Sequence, residues 1–382
     1  MKIAILTNIP TPYRTSFFNT LYKILKENED ELFVFYCSKT EPNRKWIYTE
    51  DDNLYPHKIL PGLHINLKTV YPHVNISIIR ELRKLNPTHL IVAGSWNTPT
   101  MILSAFLYNS KYVKKLFWSE SHDDSVRYKS NFFKNLKNIF YKRFDYFITP
   151  NYRSYNYITN DIGIKNKGNI NLPNLVDDPF FSTHPILDKL PLRQKYFVPD
   201  NATVFIQVAQ LEDRKGALEL IEGFNLLSRN HKDIYLVLLG DGPLLDTLNS
   251  FVLKNQLEQK IRITGHLEKN RIKEYLYLSD AFVLATKKDP NPLSPIEAIF
   301  CSLPILLSAK AGNVNEIVSE GINGYVLNNI SPDAIYTVLN IFLELDTNIK
   351  SEMSKASFNI ANEKFSCNEV SSKFINDLKN IV

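Results

Sequence analysis

The chain has 382 residues, 44% of them apolar and 22% charged, the make-up of a folded protein long enough for two domains, which excludes a disordered chain. No run approaches the roughly 18 uncharged apolar residues that a membrane-spanning helix needs, and the start, MKIAILTNIPTPYR, has neither the apolar core nor the cleavage site of a signal peptide. The formal net charge of +5 is unevenly divided: residues 1–175 hold 24 Lys/Arg against 14 Asp/Glu, and residues 176–382 hold 21 against 26.

In chain order, the expected strands of the first half are KIAILT, ELFVFYC, HLIVAG, KKLFWSE, DYFITP and GNINLPN. Those of the second half are TVFIQVAQ, IYLVLLG, IRITG, AFVLAT, PILLSA and GYVL. Apolar, β-branched runs separated by helix-length segments predict parallel sheets covered by helices on both faces. The rhythm occurs twice, so the fold class is α/β with two doubly wound, Rossmann-like domains. A turn-rich stretch, LPNLVDDPFF, sets the division into 1–173 and 174–362. Residues 363–382 read as an amphipathic helix with Val370, Phe374 and Leu378 on one face, expected to return to the first domain. Cys37, Cys301 and Cys367 are far apart and in no ligand spacing, which suits a reducing cytoplasm.

The second half carries the strongest constellation. After TVFIQVAQ comes LEDRKGALELIEGF, where Arg214, Lys215 and Gly216 precede a helix. Free N–H groups and the helix dipole favour a phosphate there, although a lone Lys-Gly turn is more often just solvated. Gly240 and Gly242 flank Asp241 at a strand end, a common tight turn. Gly265 ends another strand, its backbone open to a planar base. In AFVLATKKDPNPLSPIEAIFCSLPILLSA a strand gives way to a Pro-rich loop and a helix starting near Ser294. Asp289 and Glu297 are separated by seven residues, one in the loop and one in the first helical turn. Paired carboxylates suit polyol hydroxyls, while Glu297 taken alone is better read as ordinary helix-capping chemistry.

Taken together, the order and spacing resemble the retaining glycosyltransferases of GT-B fold, the fourth family of the sequence-based classification, in the manner of bacterial polysaccharide-type members. The residues carrying the likeness are Gln210-Leu211 with Lys215-Gly216, Gly240 to Pro243, the acids Asp289 and Glu297 followed by EAIFCSLP, GNVNEIVSEGING, and the interdomain PNLVD. The resemblance implies two domains facing a central cleft and a nucleotide-sugar donor, UDP-linked by preference, whose diphosphate meets Lys215. Glu297 would take the ribose, and the Asp289 loop the transferred sugar. Gly240, Gly265, His266, Leu293 and Ser294 would complete the donor side. Gln210 stands where the family has a phosphate-binding Arg, and Arg214 is the expected substitute, its guanidinium suited to phosphate.

On the acceptor side, TNIPTPYRTSFF replaces the usual Gly-rich turn, with Arg14 opening a helix, and SESHDDS follows the strand KKLFWSE. The resemblance makes His122 the candidate active-site histidine and Glu120 its alternate. A turn histidine capping a helix is nearly as good a reading of His122, and a plain surface residue is the lesser alternative for Arg14. Retention of configuration is implied, with the departing phosphate taking the acceptor proton and no protein nucleophile; Lys215, Asp289 and His122 are the catalytic set. No metal-ligand spacing is visible, so no cofactor and no metal are expected, and Lys215, Arg214 and helix N-termini would supply the charge for the leaving diphosphate.

The acceptor is expected to be a saccharide or a polyprenyl-linked saccharide of cell-surface glycan synthesis. From Ser125 to Phe144 the segment SVRYKSNFFKNLKNIFYKRF holds Arg127, Lys129, Lys134, Lys137, Lys142 and Arg143 without one acid. Phe133, Leu136 and Phe140 recur at helical spacing beside Phe132. Basic charge with aromatics is what an interfacial helix on an anionic membrane needs, and the alternative is a helix burying those three apolar residues. Nucleic acid is not an expected partner, because no binding motif accompanies the charge. A sugar-nucleotide epimerase of the same fold and a non-catalytic saccharide-binding protein are the rival readings. A dehydrogenase lacks its G-x-G-x-x-G after the first strand.

Overall fold

The computed structural model describes residues 1–42, 52–66, 71–123, 130–165, 167–182 and 189–381. It divides into two compact units, Met1–Asp177 with Cys367–Val382, and Asp178–Ser366.

The first unit contains β1 (Lys2–Thr7), β2 (Glu31–Tyr36), β3 (His57–Ile59), β4 (Leu63–His64), β5 (His73–Val74), β6 (His89–Ala93), β7 (Lys114–Trp118), β8 (Tyr146–Thr149) and β9 (Gly168–Asn171). Its main sheet is parallel throughout, in the order β3-β2-β1-β6-β7-β8-β9. Ile3, Ala4, Ile5 and Leu6 are all fully buried, as expected of a central strand covered on both faces. The strands β3, β4 and β5 are absent from the sequence expectation. They are two or three residues long, at a sheet edge or in a separate antiparallel pair, and too short for a buried run to mark them.

The second unit contains β10 (Thr203–Val208), β11 (Ile234–Leu239), β12 (Ile261–Ile263), β13 (Ala281–Leu284), β14 (Ile305–Ser308) and β15 (Gly324–Leu327). These pair in parallel in the order β12-β11-β10-β13-β14-β15. Phe205, Leu236 and Val283 pack with Leu220, Phe224, Ile335 and Leu339 of the covering helices Ala217–Ser228 and Pro332–Leu343 in one apolar cluster. Both sheets therefore wind outward from a reversal point, between β1 and β6 in one and between β10 and β13 in the other.

The terminal helix differs in one respect from its expected bounds. Glu363 belongs to the preceding helix, Thr347–Phe365, and Ser366, with ψ 125°, breaks the chain before the helix Cys367–Lys379. Val370, Phe374 and Leu378 are buried on that last helix. It packs on the helix Pro12–Glu27, with the Phe17 and Phe374 rings 6.0 Å apart, and Lys379 reaches Asp30 at 3.1 Å.

Two glycines sit in the left-handed region for different reasons. Gly216, φ 68°, turns the chain from the Asp213–Lys215 turn into the helix Ala217–Ser228, and a Cβ there would lie 1.8 Å from the Ala285 carbonyl oxygen. Gly265, φ 73°, has open space around the same position. Gly265→Ala should therefore cost only the left-handed penalty, about 1–2 kcal/mol. Gly216→Ala should cost at least about twice that, because the β10 and β13 loops must also part. Urea denaturation of both variants reads this directly, and equal losses would show that the close approach at Gly216 carries no weight.

Candidate functional site

In a doubly wound sheet the loops leaving the strands on either side of the reversal diverge and open a crevice at the carboxyl ends. In the second unit those loops follow β10 and β13, and hydrogen bonds hold them together. The Arg214 carbonyl accepts from the Thr286 hydroxyl at 2.8 Å and from the Lys287 N–H at 2.9 Å. Across this seam the Lys215 ammonium pairs with the Asp289 carboxylate, their side chains only 13% and 8% exposed. A third loop, after β14, fixes Asp289 further: the Gly312 N–H donates to its carbonyl at 2.8 Å. The other carboxylate oxygen, Oδ1, accepts from the Asn291 N–H at 3.3 Å.

Around that pair the remaining residues take different positions. Arg214 donates through Nε to Glu212 at 2.7 Å and lies 3.5 Å from the exposed Gln210 amide oxygen. Gly240 and Gly265 are bridged, the Gly240 N–H donating at 3.1 Å, which joins the ends of β11 and β12. His266 stands exposed just beyond. Leu293 caps the helix Ser294–Phe300, whose first turn holds Glu297. Glu297 is half-buried; burial pushes its carboxyl up to about 7, and Lys269, opening the next helix on the β12 side, pulls it back. Lys287, which the sequence reading passed over, binds Asp213 and Glu219 at 2.5 and 2.7 Å. Only tertiary pairing reveals it, because its partners lie some 70 residues away in sequence.

The first unit's reversal point is organised around Arg14. Its Nη1 donates to the Thr7 hydroxyl at the end of β1 (2.6 Å) and to the Ala93 carbonyl at the end of β6 (3.0 Å). Its Nη2 donates to Glu120 Oε1 at 3.0 Å, and the guanidinium carbon lies 4.8 Å from the Trp118 ring centroid. Arg14 is thus a buried clamp and not a surface residue. His122 is fully buried, its Nδ1 3.3 Å from Asp123 Oδ1, and Asp123 accepts from Arg153 at 2.9 and 3.2 Å. Asp123 and Arg153 are further charged residues here, marked by no spacing or motif of their own.

The basic segment needs correction. Arg127 and Lys129 lie outside the described residues. Over the helix Asn131–Tyr141, Lys137 is buried: it donates to the Tyr157 hydroxyl at 2.8 Å and faces the Trp96 and Tyr157 rings. Burial lowers its ammonium to about 8, so it is not part of a basic rim. Phe140 also points into the core, whereas Phe132, Leu136 and Ile139 are 67%, 38% and 52% exposed. The outward apolar stripe therefore runs 132, 136, 139, turned from the expected 133, 136, 140 set while sharing Leu136 with it. Lys134, Lys142 and Arg143 are exposed as well, Lys134 on the side of the helix away from that stripe and the other two just past its end.

Among the described residues, no group of three His, Cys, Asp or Glu side chains is arranged to hold a metal ion, and no helix is long and apolar enough to cross a membrane.

Residues 188–359 match the family of glycosyl transferases group 1. An uncharacterised glycosyltransferase of Methanocaldococcus jannaschii is 26% identical over 283 residues, 71% of this chain and 64% of that protein. The UDP-Gal:alpha-D-GlcNAc-diphosphoundecaprenol alpha-1,3-galactosyltransferase of Escherichia coli is 29% identical over 160 residues, 41% of this chain and 40% of its own. The chain thus spans less than two thirds of the length of either relative. Among solved structures, Anabaena HepE in complex with UDP superposes with a TM-score of 0.80 at 16% identity, covering all of both chains. A glycosyltransferase from Rickettsia africae does so at 0.78 and 17%, covering 99% of each. Two parallel sheets, each reversing at its first strand, give the chain the GT-B fold of these structures, and its second half, residues 188–359, is similar to the glycosyl transferases of group 1.

Proposed function

We propose that this chain transfers a sugar from a UDP-linked donor to a hydroxyl of a saccharide or polyprenyl-linked saccharide in cell-surface glycan assembly, with retention of anomeric configuration. The observation that carries the reading is the Lys215–Asp289 pair at the reversal point of the second sheet. A shielded cation beside a shielded carboxylate matches the two halves of a nucleotide sugar, diphosphate oxygens for the ammonium and sugar hydroxyls for the carboxylate. Because the cation is already fixed, it stabilises charge gathering on the departing diphosphate without reorganising. Arg214 adds a second charge once it exchanges Glu212 for phosphate, in place of the family arginine missing at Gln210. Glu297 takes the ribose hydroxyls, and Gly240, Gly265, His266, Leu293 and Ser294 line the nucleotide side. The names of HepE, solved with UDP, and of the galactosyltransferase relative favour UDP. Arg14, Glu120 and His122 belong to the acceptor side.

We further propose that the helix Asn131–Tyr141 docks the protein on the inner face of an anionic membrane, where a lipid-linked acceptor resides. Support comes from the exposed Phe132, Leu136 and Ile139 stripe and from Lys142 and Arg143, exposed at the C-terminal end of that helix.

Lys215→Ala alone would strand a buried carboxylate, which is itself strongly destabilising. The better test of the phosphate role compares Asp289→Asn with Lys215→Met/Asp289→Asn. UDP affinity by calorimetry should survive in the first and fall about 10- to 150-fold in the second, the worth of one charge-assisted hydrogen bond; transfer by the wild type should persist in EDTA. Equal UDP affinity in both variants would remove Lys215 from the diphosphate.

Glu297 ties binding to pH. Its folded carboxyl, near 7, lies above its unfolded value, so between about pH 4.5 and 7 the native state holds a proton that the unfolded chain has lost. Stability contributed by this group is complete below that window and declines through it by up to about 1.4 kcal/mol per pH unit. Glu297→Gln should flatten that decline and weaken UDP about tenfold or more. A variant with the wild-type pH slope and unchanged UDP affinity would leave Glu297 as a helix cap only.

Vesicle co-sedimentation tests docking. Binding to phosphatidylglycerol-containing vesicles should be salt-sensitive and should weaken on the order of 100-fold in the Lys134→Glu/Lys142→Glu/Arg143→Glu variant. Recovery of the wild type in the supernatant under every condition would point to a soluble acceptor.

A further inference from the structure

The geometry points to Glu120 as the group that receives a hydroxyl of a neutral acceptor sugar, with Arg14 as the positioning residue that aims it. This rests on the glycosyl-transfer reading and adds the chemical class of the acceptor's reacting end.

Arg14 is the obvious candidate for an acceptor phosphate, but most of its donors are turned to the protein. Nη1 serves Thr7 and Ala93, Nη2 serves Glu120, the side chain is only 13% exposed, and the ring of Trp118 lies against it. Nε is buried, without a hydrogen-bond partner. Glu120 is the reverse case. Its Oε1 accepts from Arg14, its Oε2 accepts no hydrogen bond from the described residues, and its side chain is 32% exposed. The clamp spans the ends of β1 and β6 and delivers a carboxylate from the loop after β7 to the crevice where ligands of such sheets bind.

Charge then selects the ligand. Arg14 is balanced by Glu120, and Arg153 by Asp123. Among the described residues of this loop cluster each of these cations is paired with a carboxylate, which leaves none over for a phosphate or carboxylate. A carboxylate oxygen with open lone pairs accepts from hydroxyls. A neutral polyol satisfies it; an anion does not.

The arrangement is also poorly explained by stability. Arg14 Nε and Trp118 Nε1 are both buried without a hydrogen-bond partner. Such a buried pair is often replaced by apolar residues with neutral or stabilising effect, so an arginine kept here for packing alone has little to recommend it.

The test uses the full chain saturated with UDP, and ligand-observed NMR with neutral octyl glucoside, octyl galactoside and octyl N-acetylglucosaminide, against glucose 6-phosphate. At least one neutral glycoside should bind the wild type, and glucose 6-phosphate should not displace it. Glu120→Gln and Arg14→Met should each weaken that glycoside about 10- to 100-fold. Arg14→Lys, which restores a charge beside Glu120, should recover part of the loss. Replacing both members, Arg14→Met/Glu120→Gln, should leave the melting temperature near the wild-type value, which separates positioning from a structural role. UDP affinity should be unchanged in all of these variants. The proposal is overturned if glucose 6-phosphate binds and is lost with Arg14, if glycoside affinity ignores Glu120, or if no neutral glycoside binds while UDP does. A wild type that binds no nucleotide would instead bring down the transferase reading on which the proposal stands.

Discussion

Most of the second unit's site depends on one contact, the ion pair between Lys215 and Asp289. The two residues are brought together because Gly216 lets the β10 loop lie directly on the Ala285 carbonyl. With a side chain at that position the loops would separate, and the Arg214 carbonyl would lose both Thr286 and Lys287. The ion pair in turn keeps two charged groups in a shielded place without either being stranded. A buried pair of this kind contributes little net stability, but it keeps a cation and a carboxylate fixed and ready.

The first unit solves the same problem with different residues. There a cation from the element after the first strand, Arg14, crosses the reversal to a carboxylate from a later loop, Glu120. In the second unit both members of the pair are shielded, whereas in the first only the cation is, and the carboxylate is 32% exposed.

Most of the twelve expected strands were legible because they are apolar runs buried on both faces, such as IYLVLL, which has no exposed residue; β9, GNIN, and β12, IRI, are the least apolar of them. The short strands β3 to β5 carry no such run. The loop motifs announced Lys215, Asp289 and Glu297 by spacing, but not that the first two bind one another. Helix direction was the weakest inference: the periodicity of Phe133, Leu136 and Phe140 was real, yet Lys137 and Phe140 share the buried side because Tyr157 and Trp96 offer the lysine a hydroxyl and two aromatic faces. Amphipathic side chains of this kind defeat a count of charges.

The break at Ser366 makes the first unit discontinuous in sequence, its last helix separated from the rest by the whole of Asp178–Ser366. During synthesis, Met1–Asp177 therefore emerges with the Phe17 face of its first helix uncovered, and with Asp30 lacking Lys379. The unit that is made first is the one that finishes last. The second unit, continuous in sequence, can close its core as soon as residue 366 has left the ribosome, while the first must wait with an exposed apolar strip until residues 367–379 follow.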